Sequence, residues 1–94
     1  MANYHLTESA KNDVLAISVF TIETFGEAQA RRYHKGLETA FHFLAANPYA
    51  ARERLEIDPP IRAYPYQSHM VIYEINNDSD VIILRVVHSA SDWQ

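Results

Sequence analysis

The sequence predicts an α+β fold in the order β-α-α-β-β-β, with a helical hairpin packed on an antiparallel sheet. Three observations predict it. In the first half, two consecutive segments carry apolar residues at intervals of three and four, and Gly26 stands between them. The last third carries short apolar runs divided by turn residues, which is the pattern of strands. The chain has 94 residues, 48% of them apolar and 21% charged, which suits one globular domain over residues 1–94. A domain this small has a thin core, so a bound partner would add to its stability.

Asn3 to Leu6 is a short strand candidate. Thr7 can then cap a helix with its hydroxyl, and Glu8 sits near the positive end of the helix dipole. From Glu8 to Phe25, a broad apolar face is made by Ala10, Val14, Ile17 and Phe25, with Leu15, Val19 and Ile22 beside them. β-Branched residues crowd Ile17 to Thr24 and weaken helix propensity there, but strict alternation is absent, so a helix is expected. Gly26 is expected to end it in a left-handed cap.

The second helix is the clearest element. Ala30, Tyr33, Leu37, Ala40, Phe41 and Leu44 form one stripe between Glu27 and Ala46. Gly36 lies beside that stripe. A glycine inside a helix costs about 1 kcal/mol relative to alanine, so a close approach by the first helix is expected there. Asn47-Pro48 stops the helix. With so short a link, the two helices should fold back as an antiparallel hairpin.

Tyr49 to Pro60 reads as a polar loop. Ile61 to Tyr66 is a strand containing Pro65, which cannot donate to a ladder, so an edge or a bulge is expected there. His69 to Ile75 is a stronger strand, and Asn76-Asn77-Asp78 makes a turn. Asp80 to His88 is the most apolar strand, apolar on both faces and so covered on both. The helices supply one cover. The other falls to the C-terminal tail or to a partner chain.

Several function classes drop out. With no cysteine, the chain has no disulfide, thiolate metal site or cysteine nucleophile. No apolar run is long enough to span a bilayer and no leader is visible, so the cytoplasm is the expected compartment. The formal net charge is −4, which poorly suits generic nucleic-acid binding, and none is expected. Six of the eight basic residues lie between positions 31 and 62, among four acidic ones. That weak positive region is either a solvated helix face plus a loop, or a docking surface for an acidic partner.

Histidines stand at 5, 34, 42, 69 and 88, and no pair has the i, i+4 spacing that places two imidazoles on one metal, so no metal site is expected. Two glycines cannot build a phosphate-binding loop, and no serine is flanked by glycines as in a nucleophile elbow, so no cofactor is expected either. The strands do hold a polar set: Arg62, His69, Tyr73, Arg85 and His88. Such groups can bind phosphate and move protons. Strict alternation would set Arg85 and His88 on opposite faces of the last strand, against one compact cluster. The plainer reading pairs Arg85 with Glu74 or Asp92 and has His88 and Asp92 pin the tail. Trp93 either packs back on the domain or anchors a partner.

Five stretches, in order, carry a resemblance. They are Tyr4-His5-Leu6-Thr7 with Ala10 and Asp13; Thr24 to Ala30 followed by Tyr33; Leu44 to Pro48; Ile61 to Pro65 with His69 and Ile72-Tyr73; and Arg85-Val86-Val87-His88 with Asp92. Together the chain resembles the RelE/ParE toxin superfamily, and more its ParE branch, over nearly its whole length. The resemblance implies a β-α-α-β-β-β fold and a toxin of a type II toxin–antitoxin system that inhibits DNA gyrase and is not an enzyme. It also implies a ParD-like antitoxin whose C-terminal segment wraps the toxin and covers apolar surface.

The ParE branch has no catalytic motif to carry over. The expected partner- or target-binding residues are therefore the polar and aromatic ones of the sheet and tail: Arg62, Tyr64, His69, Arg85, His88, Asp92 and Trp93. The RelE branch cuts messenger RNA on the ribosome with basic and acid–base residues. Arg62, Arg85 and His88 match positions where nuclease members carry functional groups, so that activity is the alternative. Against it, Ser89 follows His88, the tail lacks tyrosine, and the chain is acidic. A third reading is an inactive homologue that only binds antitoxin.

Overall fold

A computed structural model describes residues 3–93. The elements are β1 (Tyr4–Leu6), α1 (Glu8–Phe25), α2 (Glu27–Ala46), β2 (Glu53–Arg54), β3 (Ile61–Tyr66), β4 (His69–Ile75) and β5 (Val81–His88). They form a helical hairpin against one five-stranded sheet of order β1-β5-β4-β3-β2. β3, β4 and β5 are an antiparallel meander, the core of the expected architecture. Two details differ from expectation. β1 joins the edge of β5 in parallel, and the segment read wholly as a loop contributes β2, two residues that pair with Ile61 and Arg62. Because β2 stops there, Pro65 lies on an open edge, where its missing N–H costs nothing.

Thr7 begins α1 as the sequence suggests. Its Oγ1 accepts from the Ala10 N–H at 3.0 Å and donates to the Leu84 carbonyl at 2.8 Å, so one side chain caps the helix and ties it to β5. Gly26 does have a positive φ, 92°, but its ψ of 169° is extended and not the expected left-handed cap. Its N–H donates to Ile22 and its carbonyl accepts from Ala30, so one residue both closes α1 and opens α2. Gly36 also differs. The close approach comes from Tyr66 of β3, whose ring and hydroxyl fill the space a Cβ would need, and not from α1.

The core lies between hairpin and sheet. Ala10, Leu37, Phe41 and Leu44 meet Val71, Tyr73, Val81, Ile83 and Val86, all buried. Tyr73 is fully buried, and its hydroxyl is satisfied by donating to Pro48 O and accepting from Ala51 N–H. The far face of the sheet holds a smaller cluster, Ile61, Ala63 and Ile72, covered by Ile57, Leu84, Val87 and Trp93 among others. The tail therefore supplies part of the second cover, and Trp93 packs back on the domain.

The apolar face of α1 divides. Ala10, Val14 and Ile17 turn to the core, whereas Leu15, Val19, Ile22 and Phe25 stand 64%, 47%, 48% and 66% exposed. Phe20 joins them at 63%. A helix with apolar residues around most of its circumference has more such surface than one sheet can cover.

Candidate functional site

The alternation rule fails in β5 at one point. Ile72 pairs with Arg85 but Tyr73 pairs with Ile83, so Leu84 is an extra residue in the strand. Such a bulge shifts the side chains beyond it by one place. Val81, Ile83 and Val86 therefore all join the helix-side core, while Leu84 and Val87 join the far cluster. The same shift moves His88 to the helix side with Val86, while Arg85 stands at the bulge itself, paired with Ile72.

Arg85 reaches α1. Its Nε and Nη2 donate to Asp13 Oδ2 and Oδ1 at 2.7 and 3.0 Å, and this carboxylate, not Glu74 or Asp92, is its partner. Asp13 Oδ2 also accepts from the Val86 N–H at 2.9 Å. The pairing holds the Arg85 guanidinium above the usual arginine range.

His88 sits opposite His69 on the neighbouring strand, with ring centroids 5.5 Å apart and edge-to-face. His88 does hold the tail, through its Nδ1 accepting from Ala90 N–H and its carbonyl accepting from Ser91. Asp92 takes no part. It is exposed and makes no hydrogen bond or ion pair among the described residues.

His69 is held by α2. Tyr33 Oη lies 2.5 Å from its Nδ1. Burial, then the neighbouring Tyr66, pushes the Tyr33 phenol up, so at neutral pH it keeps its proton and donates. Burial, then His88, pushes the His69 imidazole down, so it is neutral and accepts. Its own proton then sits on Nε2.

The other expected residues are scattered. Arg62 is half-buried and structural in its contacts: Nη1 donates to Ala51 O at 2.6 Å and the guanidinium lies 5.0 Å from the Tyr49 ring. Tyr64 packs against Phe43 with centroids 5.6 Å apart. Trp93 is on the far face under the Arg54 guanidinium, 5.4 Å from its ring. The structure thus brings together His69, His88 and Arg85, and leaves Arg62, Tyr64, Asp92 and Trp93 elsewhere.

A depression of about 600 Å³ opens beside the histidine pair. Phe20, Thr21 and Phe25 of α1 form one wall, Gln29, Arg32 and Tyr33 of α2 another, and Tyr66 to His69 with His88 the floor. In the sequence Tyr33 belongs to the α2 core stripe and to the stretches that carry the resemblance, Arg32 belongs to the weak positive region between positions 31 and 62, and nothing distinguishes Phe20. Gly36 is a further sequence signal, a helix glycine that marks where the hairpin meets the aromatic tip of β3.

The family described as "ParE toxin of type II toxin-antitoxin system, parDE" matches residues 4–93. The chain is 30% identical over 91 residues to Toxin ParE1 of Mycobacterium tuberculosis, spanning 97% of this chain and 93% of the relative. It is 28% identical over 92 residues to Toxin ParE of Escherichia coli, spanning 98% and 89%. In fold it is similar to a solved structure described as "Chromosomal ParDE TA system from P. aeruginosa", with a TM-score of 0.79, 21% identity, and 94% of this chain and 96% of the other covered.

Proposed function

The chain belongs to the ParE toxin family of type II toxin–antitoxin systems, and from that premise we propose that it inhibits DNA gyrase in the cytoplasm and is neutralised by a ParD-like antitoxin. Residues 1–94 act as one toxin unit, without a cofactor and without enzymatic turnover. The observation that carries the antitoxin half is the exposed strip on α1. Leu15, Val19, Ile22 and Phe25 follow one another at intervals of four, three and three, and are each about half exposed or more. A contiguous apolar strip left in water is the kind of exposed patch that marks an interaction site. An amphipathic antitoxin segment laid on α1 would remove it from water.

The gyrase half rests on the family and on the state of the polar groups. Arg85 is committed to Asp13, and Arg62 is committed to the loop after α2. Both guanidiniums already carry a structural bond, which weighs against the charge-stabilising role a ribonuclease would need. Gyrase contact is assigned to groups that remain presentable: His69, His88, Asp92 and the exposed edges of Tyr64, Arg85 and Trp93, with Arg62 shaping the loop beside them.

One observation favours a second reading. The bulge places His69 and His88 side by side next to Arg85, an arrangement that could serve a RelE-like ribosome-dependent messenger RNA endonuclease. Pulse-labelling after induction of the chain separates the two. Gyrase inhibition stops DNA synthesis first, with an SOS response, and the purified chain then blocks gyrase supercoiling. If protein synthesis stops first, the endonuclease reading replaces it. If neither stops while antitoxin still binds, the chain is an inactive homologue.

A further inference from the structure

We propose that the depression between the α1–α2 turn and the β3–β4 turn is a binding site for a flat aromatic ring carrying a phosphate, the chemistry of a nucleoside monophosphate. The proposal goes beyond the toxin reading and does not depend on it.

Size is the first argument. At about 600 Å³ the depression falls within the range of small-molecule sites, about 300–1,000 Å³.

The second argument is charge. The chain has twelve carboxylates against eight lysines and arginines, yet no aspartate or glutamate lines this depression. What lines it polarises one way. Arg32 bonds only the neutral Gln29 side chain, at 2.7 Å, and has no carboxylate partner among the described residues. His69 and His88 both spend Nδ1 as an acceptor, from Tyr33 and from Ala90 respectively. With Nδ1 accepting, the donor nitrogen of each ring is Nε2. Neither Nε2 donates to any group among the described residues. Two preset N–H donors and a guanidinium without a counter-ion suit an anion, and a phosphate above all.

The third argument is the wall. Phe20 and Phe25 are 63% and 66% exposed at the rim, and Tyr33 and Tyr66 stand edge-to-face below them, 5.1 Å between centroids. Aromatic faces left in water beside a cationic group are the usual platform for a base with its phosphate, where stacking is tolerant of base identity.

The test is a titration of the full chain followed by amide NMR, with AMP, adenosine and inorganic phosphate in separate arms. The expected result is saturable shifts at Phe20, Phe25, His69 and His88, with AMP at least tenfold tighter than adenosine or phosphate alone. Arg32→Ala should bring AMP down to the level of adenosine, and Phe25→Ala should weaken both nucleoside ligands. Both side chains are exposed, and an unchanged circular dichroism spectrum confirms that the variants fold. No saturable shift at millimolar AMP overturns the proposal. So does binding that neither substitution alters, or binding of phosphate alone that equals AMP. A failed supercoiling assay would leave all of these outcomes unchanged.

Discussion

Asp13 and Arg85 lie 72 residues apart and meet through two hydrogen bonds, while the same carboxylate takes the Val86 N–H. One side chain on α1 thus fixes the helix to the strand segment that follows the bulge. The two partners are not equivalent. Asp13 is 16% exposed and Arg85 is 52% exposed. Asp13→Ala leaves the part-buried Val86 N–H without an acceptor and should cost about 2–3 kcal/mol. Arg85→Ala leaves that bond in place and removes only a half-exposed ion pair, so it should cost at most about 1 kcal/mol. Urea unfolding of both single variants and the double variant checks this. Equal losses from the two single variants would show that the backbone bond contributes little.

Gly36 and Tyr66 make a second such pair. A Cβ at position 36 would lie 2.9 Å from Tyr66 Cζ and nearer still to its hydroxyl. Alanine would gain about 1 kcal/mol of helix propensity, but overpacking of this degree costs about 1–3 kcal/mol. Gly36→Ala should therefore be destabilising, and less so in a Tyr66→Phe background, where the nearest atom is gone. Thermal unfolding of the four proteins decides it. A stabilised Gly36→Ala would mean that Tyr66 swings aside at no cost.

That pair also marks the limit of what could be read from sequence. The hairpin was legible because the α2 stripe and Asn47-Pro48 are local signals, and the meander because its turns are polar. The bulge at Leu84 was not legible. It depends on pairing between β4 and β5, and no residue there is of a type that demands it. Without it, strict alternation sets Arg85 and His88 on opposite faces, and nothing in the sequence points to Asp13 as the arginine's partner. Gly36 was flagged correctly as a point of close approach, but a glycine does not say which neighbour approaches. Exposure on α1 was likewise hidden, because apolar spacing reports a face and not which half of it the sheet covers.

His69 should make stability depend on pH in a definite direction. Burial first, and His88 second, hold its imidazole below the ordinary histidine value of about 6.5. The unfolded chain therefore binds the proton more readily than the folded one. Stability is fully present above about 6.5, and is lost as pH falls from there through the folded value. The urea midpoint should hold level above neutrality and fall toward pH 5. His69→Gln keeps an acceptor for Tyr33 and cannot titrate, so its midpoint should fall less over the same interval. Comparing it with the parent cancels His5, His34 and His42, which do not face position 69. Parallel curves for the two proteins would show that the folded imidazole titrates freely.

The strip on α1 gives the sharpest check of the proposed antitoxin contact. Val19 lies between Leu15 and Ile22 on the helix and is 47% exposed. Val19→Glu acts at a half-exposed position and replaces a β-branched residue with a better helix former, so folding stability should change by no more than about 0.5 kcal/mol. In the complex, the same carboxylate would be buried against apolar side chains with no counter-ion, which costs far more. Antitoxin affinity measured by calorimetry should then fall at least a hundredfold, roughly 3 kcal/mol. Growth inhibition should persist even with antitoxin co-expressed, because the gyrase contact is assigned to the sheet and tail. Full neutralisation of Val19→Glu by antitoxin would place the antitoxin contact elsewhere and leave the α1 strip to another partner.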